Sequence, residues 1–301
     1  MPDQGDHVST RRELPQGSYS LSGDGSRLLS DCPSCVSAGR LVFEHYFPGY
    51  SWEGEWTEYD RPDRDAKADI TLRHLLTMQS GLECNEWDLP LTSYFNDLNR
   101  HYRSRRPFEY VLKRNLINEP GSAFSYNTAS TNLVGEIVHR ATDQPFAEYA
   151  MRNLFEPLGI VDAAWLTWEG VDPGIVPTGG GLYLAPRDVL KIGQLVMQLG
   201  EWQGTQVVSE EWIAQSTRPS ANVMDEAEYG FLWWRMEQTH PETGVVLHPI
   251  VAGGSGGQWL FVYPEQRLVV VTTGGNFGAE SDTTFEWLND YVVPAIRPLG
   301  L

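Results

Sequence analysis

Apolar residues recur at helical spacing through the middle of the chain and gather into β-branched and aromatic runs towards its end. In DITLRHLLTMQSGL (69–82), Leu72, Leu75, Leu76 and Met78 share one face, Asp69 or Thr71 can cap the start, and Gly81 closes the helix. A shorter amphipathic helix is predicted over 106–116, with Phe108, Val111, Leu112 and Leu116 on one side. Pro120-Gly121 breaks the chain. Thr128 or Ser130 then caps a helix whose Leu133, Val134, Ile137, Val138 and Ala141 fall on one stripe. Another helix runs from Pro145 to Leu154. In GGGLYLAPRDVLKIGQLVMQLG (179–200), a glycine turn leads into a helix with Pro186 in its first turn. SEEWIAQS (209–216) is a short helix capped by Ser209.

Beyond residue 228 the pattern changes. YGFLWWRME, VVLHPIV, GQWLFVYPE and RLVVVTTG are rich in β-branched and aromatic residues and read as strands. Pro264-Glu265-Gln266 makes a hairpin turn, and TTFEWLNDYVVPAI (283–296) is a closing amphipathic helix. Helices followed by antiparallel strands predict an α+β fold: an antiparallel sheet flanked by helices, with a helical lobe. Residues 1–42 show neither period and read as a flexible, atypical arm; residues 43–301 form the domain.

Composition narrows the function. The chain has 301 residues and a formal charge of −18, which argues against binding a phosphate backbone and hence against nucleic acid. No apolar run approaches the ~20 residues of a membrane span. The N-terminus lacks the apolar core of a signal peptide, so a cytoplasmic location is the default expectation. The three cysteines, Cys32, Cys35 and Cys84, make no disulfide framework, and no clustered His/Cys set predicts a metal or other cofactor. His74 and His139 read as packed or surface residues.

Four segments in order, DITLRHLLTMQSGL, EPGSAFSYNTASTNLVGEIV, GGGLYLAPRDVLKIGQL and GGSGGQWLFVYPE before RLVVVTT, carry a resemblance. From about Tyr46 to Thr273 the chain resembles the serine β-lactamase and penicillin-binding-protein superfamily, in the branch of class C β-lactamases, family VIII carboxylesterases and 6-aminohexanoate-dimer hydrolases. That resemblance implies acyl transfer to and from a serine, with three motifs. Tyr126 matches the tyrosine of Tyr-x-Asn, implying a proton-transfer role, with Asn127 and Thr128 beside the substrate. Alone, Tyr126 reads as a half-buried aromatic at a helix entry; in the company of the other segments it reads as a site residue. Ser255-Gly256-Gly257 matches the Lys-Thr-Gly strand motif, with Gln258 N–H helping to hold the oxyanion. Ser255 removes a cation that would greet a β-lactam carboxylate, so esters or amides are favoured over β-lactams as the small-molecule partner.

The first motif, Ser-x-x-Lys, is absent. The residues three before Lys67, Lys113 and Lys191 are Arg64, Tyr110 and Asp188. The expected position near Ser18 carries Leu21 where lysine is required, so the nucleophile is unknown. The favoured explanation is that residues 1–42 are out-of-frame or replaced sequence; a degenerate paralogue, or Ser18 with another partner, are the alternatives. The resemblance also implies early strands for which the chain lacks length, and hence an unpaired sheet edge and poor solubility. Gly253-x-Ser255-x-Gly257 also fits the nucleophile elbow of α/β-hydrolases, which needs a strand before the serine and a helix after it. The expected function is therefore a serine hydrolase, impaired by its missing motif, or a non-catalytic relative of the same fold. The pair Trp233-Trp234 reads as sheet core before acyl pocket.

Overall fold

The computed structural model describes residues 36–37, 40–41, 64–224, 227–277 and 283–296. Ser18, Cys32, Cys35 and most of the 1–42 arm lie outside the described residues. Val36–Ser37 pairs with Arg40–Leu41 in a two-by-two antiparallel ladder, where the pattern alone showed no strand.

The helical lobe comprises α1 (Leu72–Leu76), α2 (Asp97–Tyr102), α3 (Pro107–Leu112), α4 (Thr128–Thr142) and α5 (Phe146–Ala150), which continues as a π-turn to Phe155. Its core is Ile70, Leu75, Leu82, Phe108, Val111, Ala129, Leu133 and Ile137, of which Leu75, Phe108, Val111, Leu133 and Ile137 lie on the stripes that helical spacing picks out. Thr71 caps α1 in a reciprocal pair with His74: the His74 N–H donates to Thr71 Oγ1 (3.2 Å) and the Thr71 N–H to His74 Nδ1 (3.3 Å). Gly81 does not stop this helix. Met78 takes the left-handed turn (φ 57°), an unusual conformation for a non-glycine residue, and Gly81 is needed further on, where a Cβ would meet Asn118 O at 2.2 Å. The cap of α4 is Asn127, one residue before the expected Thr128; its side chain accepts the Ser130 N–H (2.9 Å). His139 closes the same helix through Gln144 O (2.7 Å), and since a carbonyl only accepts, Nδ1 carries the proton.

After α6 (Pro186–Met197) and α7 (Glu210–Thr217) comes a six-stranded antiparallel sheet. Its strands are β1 (Ala221–Met224), β2 (Ala227–Tyr229), β3 (Trp234–Met236), β4 (Ile250–Gly254), β5 (Gln258–Tyr263) and β6 (Leu268–Thr272), each beside its sequence neighbour. The pattern missed β1 and joined β2 to β3. They are separate because Phe231 N–H turns to Ser216 O (2.7 Å) and Leu232 N–H to Leu76 O (3.0 Å), which tethers the sheet to α1. Pro249, with no N–H for a ladder, likewise parts Val246–Leu247 from β4.

Alternation along β5 sorts the two faces. Leu260 and Val262 pack with Val196 of α6 and Ile213 of α7; Phe261 and Tyr263 pack with Leu288, Val293 and Ile296 of the C-terminal helical segment, which begins with α8 (Thr283–Trp287). The α+β architecture with a helical lobe is the one the sequence predicts. Among the described residues no helix is long and apolar enough to cross a membrane.

Candidate active site

Met78, Phe124, Tyr126, Ala221, Tyr229 and Trp234 form a small cluster that joins the helical lobe to the sheet. Tyr126 stands at this seam, and its backbone is pinned on both sides. The Ser125 N–H donates to Met78 O (2.8 Å) and the Asn127 N–H to Met78 Sδ (3.3 Å), so the strained turn at Met78 sets the approach to α4. The Tyr126 ring stacks on Trp87 (5.3 Å between centroids, 25°) and on Trp234 (5.9 Å, 17°), and Tyr229 meets it edge-on (6.2 Å, 86°). Such offset and edge contacts suit the ring quadrupoles.

Glu86 is buried at the foot of this cluster. It accepts the Thr128 N–H (2.6 Å) and the Thr128 hydroxyl (2.7 Å), and Cys84 donates its thiol (3.4 Å). The Thr128 donors sit at the positive end of α4, and all three bonds favour the carboxylate. Burial outweighs them, and the Glu86 carboxyl is held above the ordinary carboxylate range. Burial first, and then the Glu86 charge, push the Tyr126 phenol up to about 12, while hydrogen bonds with Thr128 and Tyr229 pull the other way. Burial and the same charge raise Tyr102 to about 12. Burial and then Glu86 raise the Cys84 thiol; burial and then Tyr126 raise Tyr229. At neutral pH, Tyr126 is a hydrogen-bond donor and not a base.

The lysine that would alter this is elsewhere. Lys67 Nζ donates to Leu112 O (3.3 Å), Lys113 pairs with Glu109, and Lys191 pairs with Asp188 (2.8 Å) and donates to Gly159 O (2.7 Å).

The other candidate residues lie on the β4–β5 hairpin. Gly254 stands opposite Gln258, so Ser255-Gly256-Gly257 is a three-residue loop. Gly256 (φ 86°) and Gly257 (φ 91°) both lie where side chains are disfavoured, which explains the paired glycines. The loop is held from outside. Gln258 Nε2 donates to Gly274 O (2.5 Å), Thr272 Oγ1 to Gly257 O (3.2 Å) and the Asn276 N–H to Gly256 O (3.1 Å). Ser255 is followed by a strand and not by a helix, which removes the nucleophile-elbow reading.

The structure thus places the expected residues in two groups. Tyr126, Asn127 and Thr128 occupy the α4 entry, where the Asn127 side chain serves the cap and Thr128 serves Glu86. Ser255, Gly256, Gly257 and Gln258 form the hairpin. Trp234 stands between the groups: it stacks on Tyr126 and pairs in register with Val251, four positions before Ser255. It packs against the sheet core and touches the candidate site through Tyr126. The pattern missed Glu86 and Trp87, because nothing local marks a loop residue forty positions upstream as the partner of a helix start.

The β-lactamase family profile matches residues 35–287. The chain belongs to the β-lactamase family. Its solved structural relatives include a Bacillus anthracis protein provisionally named as a 6-aminohexanoate-dimer hydrolase (23% identity, TM-score 0.58, covering 75% of this chain and 60% of that one). The penicillin-binding protein of Bacillus halodurans also aligns (21%, TM-score 0.53, 70% and 71%). At these identities the likeness is one of fold. Among curated proteins, Aspergillus terreus monacolin J acid methylbutanoyltransferase is 35% identical over 101 residues, 33% of this chain and 24% of that protein. The 6-aminohexanoate-dimer hydrolase of Paenarthrobacter ureafaciens is 24% identical over 214 residues, 65% of this chain and 52% of the hydrolase. The chain therefore spans between a quarter and a half of the length of these curated relatives.

Proposed function

We propose that the chain carries the acyl-transfer site of a β-lactamase-family serine hydrolase for small esters or amides, and that its turnover is impaired. One observation carries the reading. Tyr126 sits in an aromatic setting at the junction of lobe and sheet, while each lysine of the chain is engaged elsewhere. A serine nucleophile in this family needs a base, and a neutral phenol whose charged neighbour among the described residues is an anion supplies none. In this reading the phenol donates a hydrogen bond to the substrate and Gln258 N–H faces its carbonyl oxygen. Asn127, Thr128, Ser255, Gly256 and Gly257 frame the acyl group. The neutral Ser255 favours esters and amides over β-lactams.

The full chain is tested with p-nitrophenyl butyrate, a fluorophosphonate probe, and quenching of the Trp87/Trp234 emission by a non-hydrolysable phosphonate ester. We expect quenching that saturates and is weakened in Tyr126→Phe, with hydrolysis at the buffer rate and no label. Rapid hydrolysis with one label per chain would overturn the impairment. No saturable quenching would overturn the site.

A further inference from the structure

The loop between Leu82 and α2 keeps its amides inside and its apolar side chains outside. Its two ends are pinned together: the Asn85 N–H donates to Asp97 Oδ2 (2.8 Å) and the Asp97 N–H to Asn85 O (3.2 Å). Arg114 anchors Asp97 in turn (3.0 Å). Within the loop, the fully buried Asn96 amide donates to Glu86 O (2.9 Å) and to Leu89 O (2.8 Å), so the backbone is fixed on both sides of Trp87. On this firm mount Trp87, Leu89, Leu91, Tyr94 and Phe95 all stand exposed, and residues 89–95 include no charge. Such a concentration of large apolar side chains in water calls for an occupant. We propose that Trp87 is a specificity-determining residue of the site, offering its open indole face to an aromatic group of the ester or amide substrate. The proposal deepens the acyl-transfer reading above and rests on it.

The rings themselves name the occupant. Trp87, Tyr126 and Trp234 lie within 25° of parallel, with centroids 5.3 Å (Trp87 to Tyr126), 5.9 Å (Tyr126 to Trp234) and 6.4 Å (Trp87 to Trp234) apart. Tyr126 and Trp234 are half-buried, whereas Trp87 is 57% exposed, so the indole is the outermost ring of the set. A flat ring laid on its open face continues an arrangement already made. An alkyl group of the same size gains only buried area there, which gives the aromatic group a preference of roughly two- to tenfold. The stack also places that open face one ring away from the Tyr126 phenol, within the span of an ester and its substituent. A second copy of the chain or a lipid surface would also cover apolar side chains. The −18 charge opposes association of two copies and approach to an anionic membrane, while continuity with Tyr126 favours the substrate.

The test is calorimetric binding to the full chain of two non-hydrolysable phosphonate esters that differ only in carrying phenyl or cyclohexyl. We expect the phenyl ester to bind about fivefold tighter. Trp87→Phe, which keeps a flat ring, should retain most of that preference, and Trp87→Ala should abolish it. A Trp87 that only packed against its neighbours would weaken both esters alike on substitution and leave their ratio unchanged, which overturns the proposal. Equal binding of the two esters by the unmodified chain overturns it too and leaves the acyl-transfer site standing. If neither ester binds, the acyl-transfer reading falls, and a second measurement decides this one. The Trp87 indole N–H resonance, assigned by its loss in Trp87→Phe, is titrated with benzyl alcohol and with cyclohexylmethanol, neither of which carries a carbonyl. A saturable shift with the lower midpoint for benzyl alcohol supports the aromatic subsite; equal midpoints or no saturable shift overturn it. A dimer in sedimentation that Trp87→Ala dissociates, or binding to phosphatidylcholine vesicles that the same variant loses, assigns the indole to a second copy or to a lipid surface and overturns the proposal equally.

Discussion

The two groups of candidate residues, here called the helical and the sheet wall, are built by opposite means. On the helical side, side chains are packed inward: Glu86, Asn127 and Thr128 are buried and joined by hydrogen bonds, while Ser130 Oγ and His101 Nδ1 are buried without a partner among the described residues. On the sheet side, side chains are left out. The hairpin loop turns on two glycines and is held by backbone oxygens that take bonds from Gln258, Thr272 and Asn276. The first wall is sensitive to charge and to hydration, the second to any added Cβ. Burial of polar groups fixes position firmly but is costly when a partner is lost. Absence of side chains leaves backbone free to meet a ligand, at the cost of chain entropy.

The sharpest way to separate the walls is acid. His101 is fully buried in the helical lobe. Asn132 Oδ1 accepts the Gly179 N–H (2.8 Å), so its amide nitrogen donates to His101 Nε2 (2.8 Å), and the ring proton must sit on Nδ1. Burial lowers the His101 pKa from 6.5 to about 4. Between those values the unfolded chain holds the extra proton, so stability falls as pH drops through that window. The expected loss from this residue is roughly 3 kcal/mol. Glu86, whose carboxyl is raised, contributes with the opposite sign. Denaturant unfolding from pH 7 to pH 4 checks this. His101→Phe is expected to show a flatter profile, and an unchanged slope would mean that the lobe does not depend on a neutral imidazole.

Legibility follows the same division. The stripes of α1, α3 and α4, the aromatic and β-branched run of β5 and the glycine loop were all readable, because each is written in residues close in sequence. Tyr126 was readable through its segment. The partners of Tyr126 were not: Glu86, Trp87 and Tyr229 reach it only through the fold, and a Glu beside a Trp in a polar loop reads as solvated surface. The split of β2 from β3 was equally hidden, since YGFLWWRME has no breaker strong enough to announce that residues 231 and 232 bond to α7 and α1 instead.

A smaller effect sharpens the sheet side. At Gly257 a Cβ would have its nearest neighbours at 3.6 Å, so there is room for alanine, and the cost of substitution is conformational. Gly257→Ala at φ 91° is expected to cost about 1–2 kcal/mol in denaturant unfolding. The phenol titration of Tyr126, followed by 13Cζ NMR, should not move. If it moves, the walls are coupled and the contrast between them fails.

The smallest effect on stability falls at the rim. Trp87 is mostly exposed, and its contacts are the stacks on Tyr126 and Trp234. An aromatic pair of this kind contributes about 0.5–1.5 kcal/mol, towards the lower end where water reaches the rings. Trp87→Ala is therefore expected to cost under about 1 kcal/mol in unfolding. Its effect on Tyr126 is of another kind. Burial is the largest cause of the raised phenol pKa, ahead of the Glu86 charge, and Trp87 supplies part of that burial. Removing the indole should admit water and lower the midpoint from about 12 towards that of an ordinary phenol. Added salt separates the two causes, because screening weakens the reach of a charge far more than the dryness of a pocket. The Trp87→Ala shift should therefore persist at high ionic strength. If the midpoint stays near 12 without the indole, the dry surroundings come from Tyr229 and Trp234 alone. The helical wall would then owe its character to the sheet, and the two sides would be less distinct than their construction implies.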